Sequence, residues 1–429
     1  MKSVACSISI ETGAPARRLT ALFFSPIKFC AVLLAVFATI ATDTTAATES
    51  ISFQRQQLSD QFFCEGSTFA DLNKDGRLDA IAGPYWYEGP DFKSRHEIYP
   101  PGPFDPLGYS DNFFSFAHDF NSDGWPDVLV LGFPGVDASW YENPGKTNRP
   151  WRRHVVFLPV DNESPTFGDL LGNGEPVLIC TSGGRIGYAT PNPKDPNRPW
   201  VFHAISPPGP WPRFSHGLGY GVINGDHRPD LLMKDGWWEQ PASLADDPVW
   251  KFHPVAFCGP QGGAQLLVND LNGDGLADVV TSYAAHGYGL SWFEQKRDAE
   301  GSISFVEHAI LSREADQKQN GIQFSQLHAL VLADVDGDGL ADIITGKRWW
   351  AHGPKGDFDP NGTPVIYAFL TRRSPDRTVT FEPKLIDDSS GIGVQLVTAD
   401  INGDGRPDFI SANKRGTFVF QSQLPTPTK

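Results

Sequence analysis

The stretch LADVDGDGLAD, residues 332–342, places four aspartates within nine positions. Carboxylates packed this closely repel one another unless a bound cation neutralises them. The same pattern, Asp-x-Asn/Asp-x-Asp-Gly-x-x-Asp, returns in four other stretches: ADLNKDGRLD (70–79), HDFNSDGWPD (118–127), NDLNGDGLAD (269–278) and ADINGDGRPD (399–408). The acidic loop is therefore a repeat, and its period decides the fold.

Two degenerate copies complete the series, DLLGNGEPV (169–177) and VINGDHRPD (222–230). The seven loops are spaced by roughly fifty residues, with two wider intervals near the end. A β-type run, an aromatic strand and a further strand follow the loops, and an apolar segment precedes each one. Each unit therefore predicts four short strands, which is the size of a propeller blade. The aromatic strand of the sixth unit is assigned to RWWAHG (348–353).

The two ends of the repeat region complement each other. The last unit stops near TFVFQSQLP (417–425) without a fourth strand, whereas SISFQRQQL (50–58) precedes the first loop and resembles that missing strand. The sequence thus predicts an all-β fold, a seven-bladed β-propeller closed by an N-terminal strand in the last blade. Such closure removes exposed sheet edges. We expect one propeller over residues 47–424 and a short tail at 425–429.

Residues 1–46 have the pattern of a secretory signal peptide. Arg17, Arg18 and Lys28 precede the apolar run FCAVLLAVFATIA (29–41), and small residues follow it. A membrane anchor is the alternative, although the run is shorter than the ~20 residues of a spanning helix. The sequence predicts an exported protein, periplasmic, cell-surface or extracellular, with no stable membrane span after signal removal. A net charge of −16 argues against a nucleic-acid partner.

The loops offer oxygen ligands at alternate positions, with a glycine at the bend. Calcium takes six to eight oxygen ligands, so this array suits it. The loops and blades resemble the FG-GAP/VCBS repeat family, and this resemblance implies a seven-bladed propeller with calcium in the loops. We favour ions that pin turns over calcium sensors, and expect none in the degenerate copies. The predicted ligands are Asp71, Asn73, Asp75, Asp79, Asp119, Asn121, Asp123, Asp127, Asp270, Asn272, Asp274, Asp278, Asp334, Asp336, Asp338, Asp342, Asp400, Asn402, Asp404 and Asp408.

Of the eleven histidines, His227 fills a position in a degenerate loop and is interpreted as structural, and the other ten fall into two groups. One group recurs at the same place in the fourth strand of five blades, so we interpret it as structural: His96, His154, His203, His253 and His308. The other group does not follow the repeat. His216 and His328 each stand six residues before the first position of a loop, where first strands line the central channel, and Glu65 and Glu163 hold the equivalent positions.

His286 lies in a turn that opens on the same face. We therefore predict a channel site of His216, His286 and His328 with Glu65 or Glu163, for zinc or another transition metal. The alternative is a set of hydrogen-bonding histidines in a polar channel. His118 and His352 are interpreted as structural. Nearby candidates for ligand binding are Trp211, Arg213, Gln326, Lys347 and Arg348.

Two short segments carry a second, weaker resemblance. YAAHGYGLSWFEQ (283–295) and QLHALVLADVDGDG (326–339) are similar to the propeller domain of aldos-2-ulose dehydratase/isomerase. The resemblance implies zinc-dependent sugar dehydration, although this chain lacks room for the cupin domains that follow in that family. Three functions stay open: a secreted carbohydrate-binding module, a metal-dependent dehydratase or lyase of an oxidised sugar, and an adhesive scaffold. The catalytic base is not identified.

Overall fold

The computed structural model describes residues 51–192 and 194–423. The predicted signal peptide (1–46) and tail (425–429) lie outside these ranges. The described residues form 28 strands, joined by turns and loops without α-helices. The protein is all-β, as predicted, and its sheets have the arrangement of a β-propeller.

Six groups of four consecutive strands follow one another along the described chain, and three further strands share a sheet with β1. The first three are β2 (Ser67–Ala70), β3 (Asp79–Ala82), β4 (Tyr85–Tyr87) and β5 (Arg95–Glu97); β6 (Phe114–His118), β7 (Asp127–Leu131), β8 (Val136–Glu142) and β9 (Arg152–Val160); β10 (Thr166–Gly168), β11 (Val177–Ser182), β12 (Arg185–Thr190) and β13 (Val201–Ala204). The next two are β14 (Leu218–Gly221), β15 (Asp230–Met233), β16 (Gly236–Glu239) and β17 (Lys251–Pro254); β18 (Gln265–Asn269), β19 (Asp278–Ser282), β20 (Leu290–Arg297) and β21 (Ile303–Leu311).

The sixth group is β22 (Leu330–Ala333), β23 (Asp342–Gly346), β24 (Ile366–Arg373) and β25 (Val379–Asp387). The last is β26 (Leu396–Ala399), β27 (Asp408–Asn413) and β28 (Gly416–Gln423), with β1 (Ser52–Ser59) as its fourth strand. β1 pairs antiparallel with β28, from Ser52 opposite Gln423 to Ser59 opposite Thr417. The N-terminal and C-terminal segments of the described chain therefore share one sheet.

Hydrogen bonding divides these groups differently from the predicted seven separate sheets. Among the described residues there are five four-stranded sheets and one eight-stranded sheet. The eight-stranded sheet arises because β14 and β18, each the first strand of its group, pair in parallel over two residues, Leu218 with Gln265 and Gly219 with Leu266. A Cβ on Gly219 would collide with the carbonyl of Leu266, so the absence of a side chain permits this approach.

Second strands have a hydrogen-bonded strand on both sides, and their burial explains the apolar runs after the loops. β7 (DVLVL) and β19 (DVVTS) are buried at every position. Their β-branched and aliphatic side chains suit a strand covered on both faces. The hydrophobic clusters accordingly lie between neighbouring sheets, as with Trp140 and Leu178 on adjacent sheets.

The sixth group corrects one prediction. The RWWAHG segment (348–353) is not its third strand; that strand is β24, IYAFLTRR, which pairs with β23. Residues 347–365 instead form a long connection between them. The two tryptophans of 348–353 resemble those of the repeated third strand, but this segment contributes Arg348, Ala351 and His352 to the cavity described below.

The last aspartate of each loop has a local role that the sequence does not reveal. Asp278 is fully buried, and its two oxygens accept the backbone N–H groups of Leu271 (3.1 Å) and Gln295 (2.9 Å). Asp230, in a degenerate loop, makes the equivalent bonds to Ile223 and Gln240. This aspartate thus joins the loop to the third strand even where the first loop aspartate is missing.

An amide side chain at the end of the third strand forms hydrogen bonds to the preceding group of strands. Gln295 Nε2 donates to the carbonyl of Ile223 in the preceding group (3.0 Å) and to Ala277 (2.8 Å). Gln240 and Asn143 repeat this arrangement with Leu170 and Leu72. At these three boundaries the hydrogen bonds link the third strand of one group to the acidic loop of the preceding group.

Candidate metal centre

The fourth-to-first connections and the second-to-third turns surround a cavity of about 590 Å³. His216 lies two residues before β14, Glu163 three residues before β10, and His286 in the turn between β19 and β20. The long connection 347–365 supplies Arg348, His352, Asp357 and Phe358. The cavity is therefore assembled from segments far apart in the chain.

Three imidazoles and one carboxylate converge at this cavity; Glu163, His216 and His286 line it, and His328 is buried beside them. One potential ligand atom from each of Glu163, His216, His286 and His328 lies within 4.8 Å of all the others. His216 Nε2 is 2.9 Å from His286 Nε2 and 3.6 Å from Glu163 Oε2. Tetrahedral zinc with bonds of about 2.0–2.1 Å holds its ligand atoms roughly 3.4 Å apart. The spacing of the group therefore fits one such ion.

A backbone carbonyl orients one of the imidazoles. Gln326 O lies 3.3 Å from His328 Nδ1. A carbonyl on one ring nitrogen fixes the proton there and leaves the other nitrogen as a ligand. Asp357 Oδ1 lies 3.2 Å from His286 Nδ1 without a hydrogen bond of ordinary geometry, and His328 Nε2 is buried without a hydrogen-bond partner. A lone pair left in this state is what a metal ligand requires.

Burial keeps the histidines in a ligating form but favours the protonated acid of Glu163. It lowers the pKa of His216 and His328 well below the usual histidine value, so both rings are neutral at pH 7. Burial also raises the pKa of Glu163 to about 7, against the opposing effect of Arg348. A bound cation would restore the charged carboxylate.

Glu65 was predicted as a possible metal ligand, but it lies outside the group of four potential ligands. Its Oε1 instead accepts a hydrogen bond from Arg348. Arg348 is itself buried, with an Nη1 4.0 Å from Glu163 Oε2. The guanidinium thus connects the two glutamates, because a buried carboxylate must find a cation or several donors.

The sequence interpretation missed two residues of the site. His352 was assigned a structural role and Asp357 none, yet both line the cavity. Asp357 Oδ1 is 2.8 Å from His352 Nδ1, and the rings of His286 and His352 stack at 4.6 Å. Burial alone would raise the pKa of Asp357, but its bonds to His286 and His352 outweigh this effect and lower it. The unusual length of the connection 347–365 was the available signal.

Of the five ligand-binding candidates, only Arg348 lines this cavity. Lys347 is buried and donates to Ser325 Oγ (2.7 Å), and Gln326 binds the backbone of Ala351 and Phe358. These two residues support the loops around the site. Trp211 packs on a core cluster beside Tyr188, and Arg213 bonds the carbonyl of Pro134.

The acidic loops are ordered largely by their own side chains. Asp71 accepts the backbone N–H groups of Asp75 (3.0 Å) and Gly76 (2.9 Å), and the other four regular loops repeat this turn. Asp334, Asp336 and Asp338 form a further candidate ion group within 4.8 Å. The ninth-position aspartates are held by backbone N–H groups instead: Asp79, Asp127, Asp278, Asp342 and Asp408. Calcium binding stays a prediction at these loops.

The structural role of the repeated histidines is confirmed. His253 stacks on Trp237 at 3.9 Å with a 4° interplanar angle, and its Nε2 contacts Glu239 (2.7 Å). The other four stack in the same way on an aromatic residue of the third strand. Each histidine therefore belongs to a cross-strand pair and is separate from the cavity.

Part of the chain matches a known repeat family. A family model for the FG-GAP-like repeat matches residues 119–180 and 270–345, and the sheets have the arrangement of a β-propeller. The first match includes the degenerate loop at Asp169. A comparison with curated proteins finds no match.

Two solved structures are similar at low identity. The Photorhabdus luminescens Tc holotoxin pore has 16% identity and a TM-score of 0.39, covering 86% of this chain and 15% of that one. The chain thus spans a small part of the toxin chain. Rhamnogalacturonan lyase YesW has 13% identity and a TM-score of 0.43, covering 88% and 73% of the two chains.

Proposed function

We propose that the protein is a metal-dependent lyase or dehydratase of an oxidised sugar, with a transition metal held by Glu163, His216, His286 and His328. The observation that supports this proposal is the convergence of these four side chains, three of which line an open cavity. Nitrogen and carboxylate ligands suit zinc. A bound ion would also give His328 Nε2 the partner that it lacks.

Bound zinc would act as a Lewis acid that polarises a substrate carbonyl. His352 lines the cavity with a half-exposed side chain, and Asp357 holds its Nδ1. Its Nε2 is then available to accept the proton from the carbon next to the carbonyl. The C–H electron pair forms the new double bond, and the oxygen β to the carbonyl leaves with its bonding electrons. Arg348 holds Glu163 in place beside the histidines.

A carbohydrate-binding module without catalysis is the second candidate. The aromatic walls of the cavity favour it, because Tyr109, Phe133 and Phe214 can contact the apolar face of a sugar ring.

Both functions use the same scaffold. Counting the eight-stranded sheet as two blades gives a seven-bladed propeller that β1 closes. We further propose that the protein is exported and that calcium pins the regular loops; an adhesive role would use the scaffold alone.

Metal analysis of the purified protein tests the proposal. We expect about one zinc or manganese ion per chain, lost in His328→Ala and retained in the matched variant His308→Ala, whose histidine lies in a repeated stacked pair. Screening 3-keto and uronate sugars for a new enone absorbance then tests the reaction. A protein that binds calcium alone, or that keeps its transition metal in His328→Ala, would rule out this metal centre.

A further inference from the structure

A second cavity, of about 620 Å³, opens beside the first. It lies between the first two strand groups and is lined by Tyr99, Phe104, Asp111, Tyr141 and Arg153 among others. The turn between β3 and β4, the turn between β7 and β8, and the β5–β6 connection all contribute. These are the same classes of connection that surround the metal centre, so both cavities open on one face.

The linings of the two cavities adjoin along the chain. Tyr109 lines the first cavity and Asp111 the second, two residues apart on one connection. Phe133 lines the first and its neighbour Gly132 the second. The rings of Tyr109 and Phe133 pack at 4.9 Å on the side of the first cavity. Two connections therefore contribute residues to both cavities.

The lining of the second cavity combines aromatic rings with hydrogen-bond donors and acceptors. The rings of Tyr99 and Tyr141 stack at 4.8 Å. Arg153 is half-exposed and pairs with Asp137 (2.8 Å), while the exposed Asp111 carboxylate has no partner among the described residues. Aromatic rings contact the C–H faces of a pyranose, and carboxylate with guanidinium matches its hydroxyl groups as acceptors and donors.

We propose that this second cavity is a subsite for a sugar ring joined by a glycosidic bond to the ring at the metal centre. The proposal rests on the proposed function and makes it more specific, because the leaving group becomes a sugar instead of water. The C–H bond next to the carbonyl and the β C–O glycosidic bond both break, and one C=C bond forms. The departing sugar oxygen gains a proton, so no oxidant or reductant is needed.

Binding of unreactive probes tests the subsite apart from the chemistry. Calorimetry compares methyl β-glucoside with cellobiose and maltose on the metal-loaded protein; none carries a ketone or uronate group, so none can eliminate. We expect at least one disaccharide to bind about tenfold more tightly than the monosaccharide, and this advantage to disappear in Tyr141→Ala and Arg153→Ala. Phe252→Ala, on β17 away from both cavities, is the matched control.

Arg153→Ala removes a half-exposed side chain, so it keeps the test valid if Tyr141→Ala does not fold. Equal affinities for the monosaccharide and both disaccharides would overturn the subsite, as would an advantage that survives both substitutions. A disaccharide advantage without any turnover of 3-keto-cellobiose would instead leave the subsite standing and refute the proposed lyase function.

Discussion

Replacing Arg348 with methionine should destabilise the protein strongly. The guanidinium is 2% exposed and bonds Glu65, whose side chain is 1% exposed. Without Arg348 this carboxylate stays buried without a cation, and Glu163 loses its nearest positive charge. Removing one partner of a buried pair costs about 3–5 kcal/mol, whereas replacing both with apolar residues is often neutral.

Urea denaturation followed by circular dichroism measures this effect. We expect Arg348→Met to lower the free energy of unfolding by about 3–5 kcal/mol, and Arg348→Met/Glu65→Met to recover more than half of that loss. Arg198→Met is the surface control, because Arg198 and Asp195 form an exposed pair that should contribute about 0–1 kcal/mol. A loss below about 1 kcal/mol in Arg348→Met would refute the argument that the buried pair organises the site.

Three further predictions concern the loops and the joints between strand groups. Gln295→Leu leaves two buried carbonyls without their amide donor, so urea denaturation should show a loss of about 2–4 kcal/mol; a neutral result would contradict the inter-group link. Arg372 pairs with Asp336 (2.6 Å) and Asp338 (3.0 Å), so Arg372→Ala should tighten calcium binding at that loop severalfold by calorimetry, and unchanged or weaker binding would count against it. Burial raises the pKa of Asp127 to about 7, so its contribution to stability is complete below about pH 4 and is lost as the pH rises through 7. Chelator-treated protein should therefore lose stability over that interval, and Asp127→Asn should reduce the slope; an identical slope in the variant would exclude this residue as the cause.

The period of the acidic loops was sufficient to predict an all-β fold with the arrangement of a β-propeller. A loop, an apolar run and an aromatic strand recur because each group of four strands solves the same packing problem, and the pairing of β1 with β28 follows from the strand that the last unit lacks. The role of the stacked histidines could be predicted for the same reason.

The sequence also indicated which histidines to examine. His216 and His328 depart from the repeat at equivalent positions, each two residues before the first strand of its group, and the structure brings them together. The other residues that surround these two histidines could not be predicted from the sequence. The pairing of Glu65 with Arg348, and the entry of His352 and Asp357 from the long connection 347–365, depend on how irregular loops fold across the channel.

The sequence by itself therefore determined the repeated framework, since each blade follows from the order of its own residues. Only the tertiary structure decided the membership of the site. A metal centre depends on distances between atoms that the chain separates by up to 165 residues, from Glu163 to His328, and no periodicity encodes those distances.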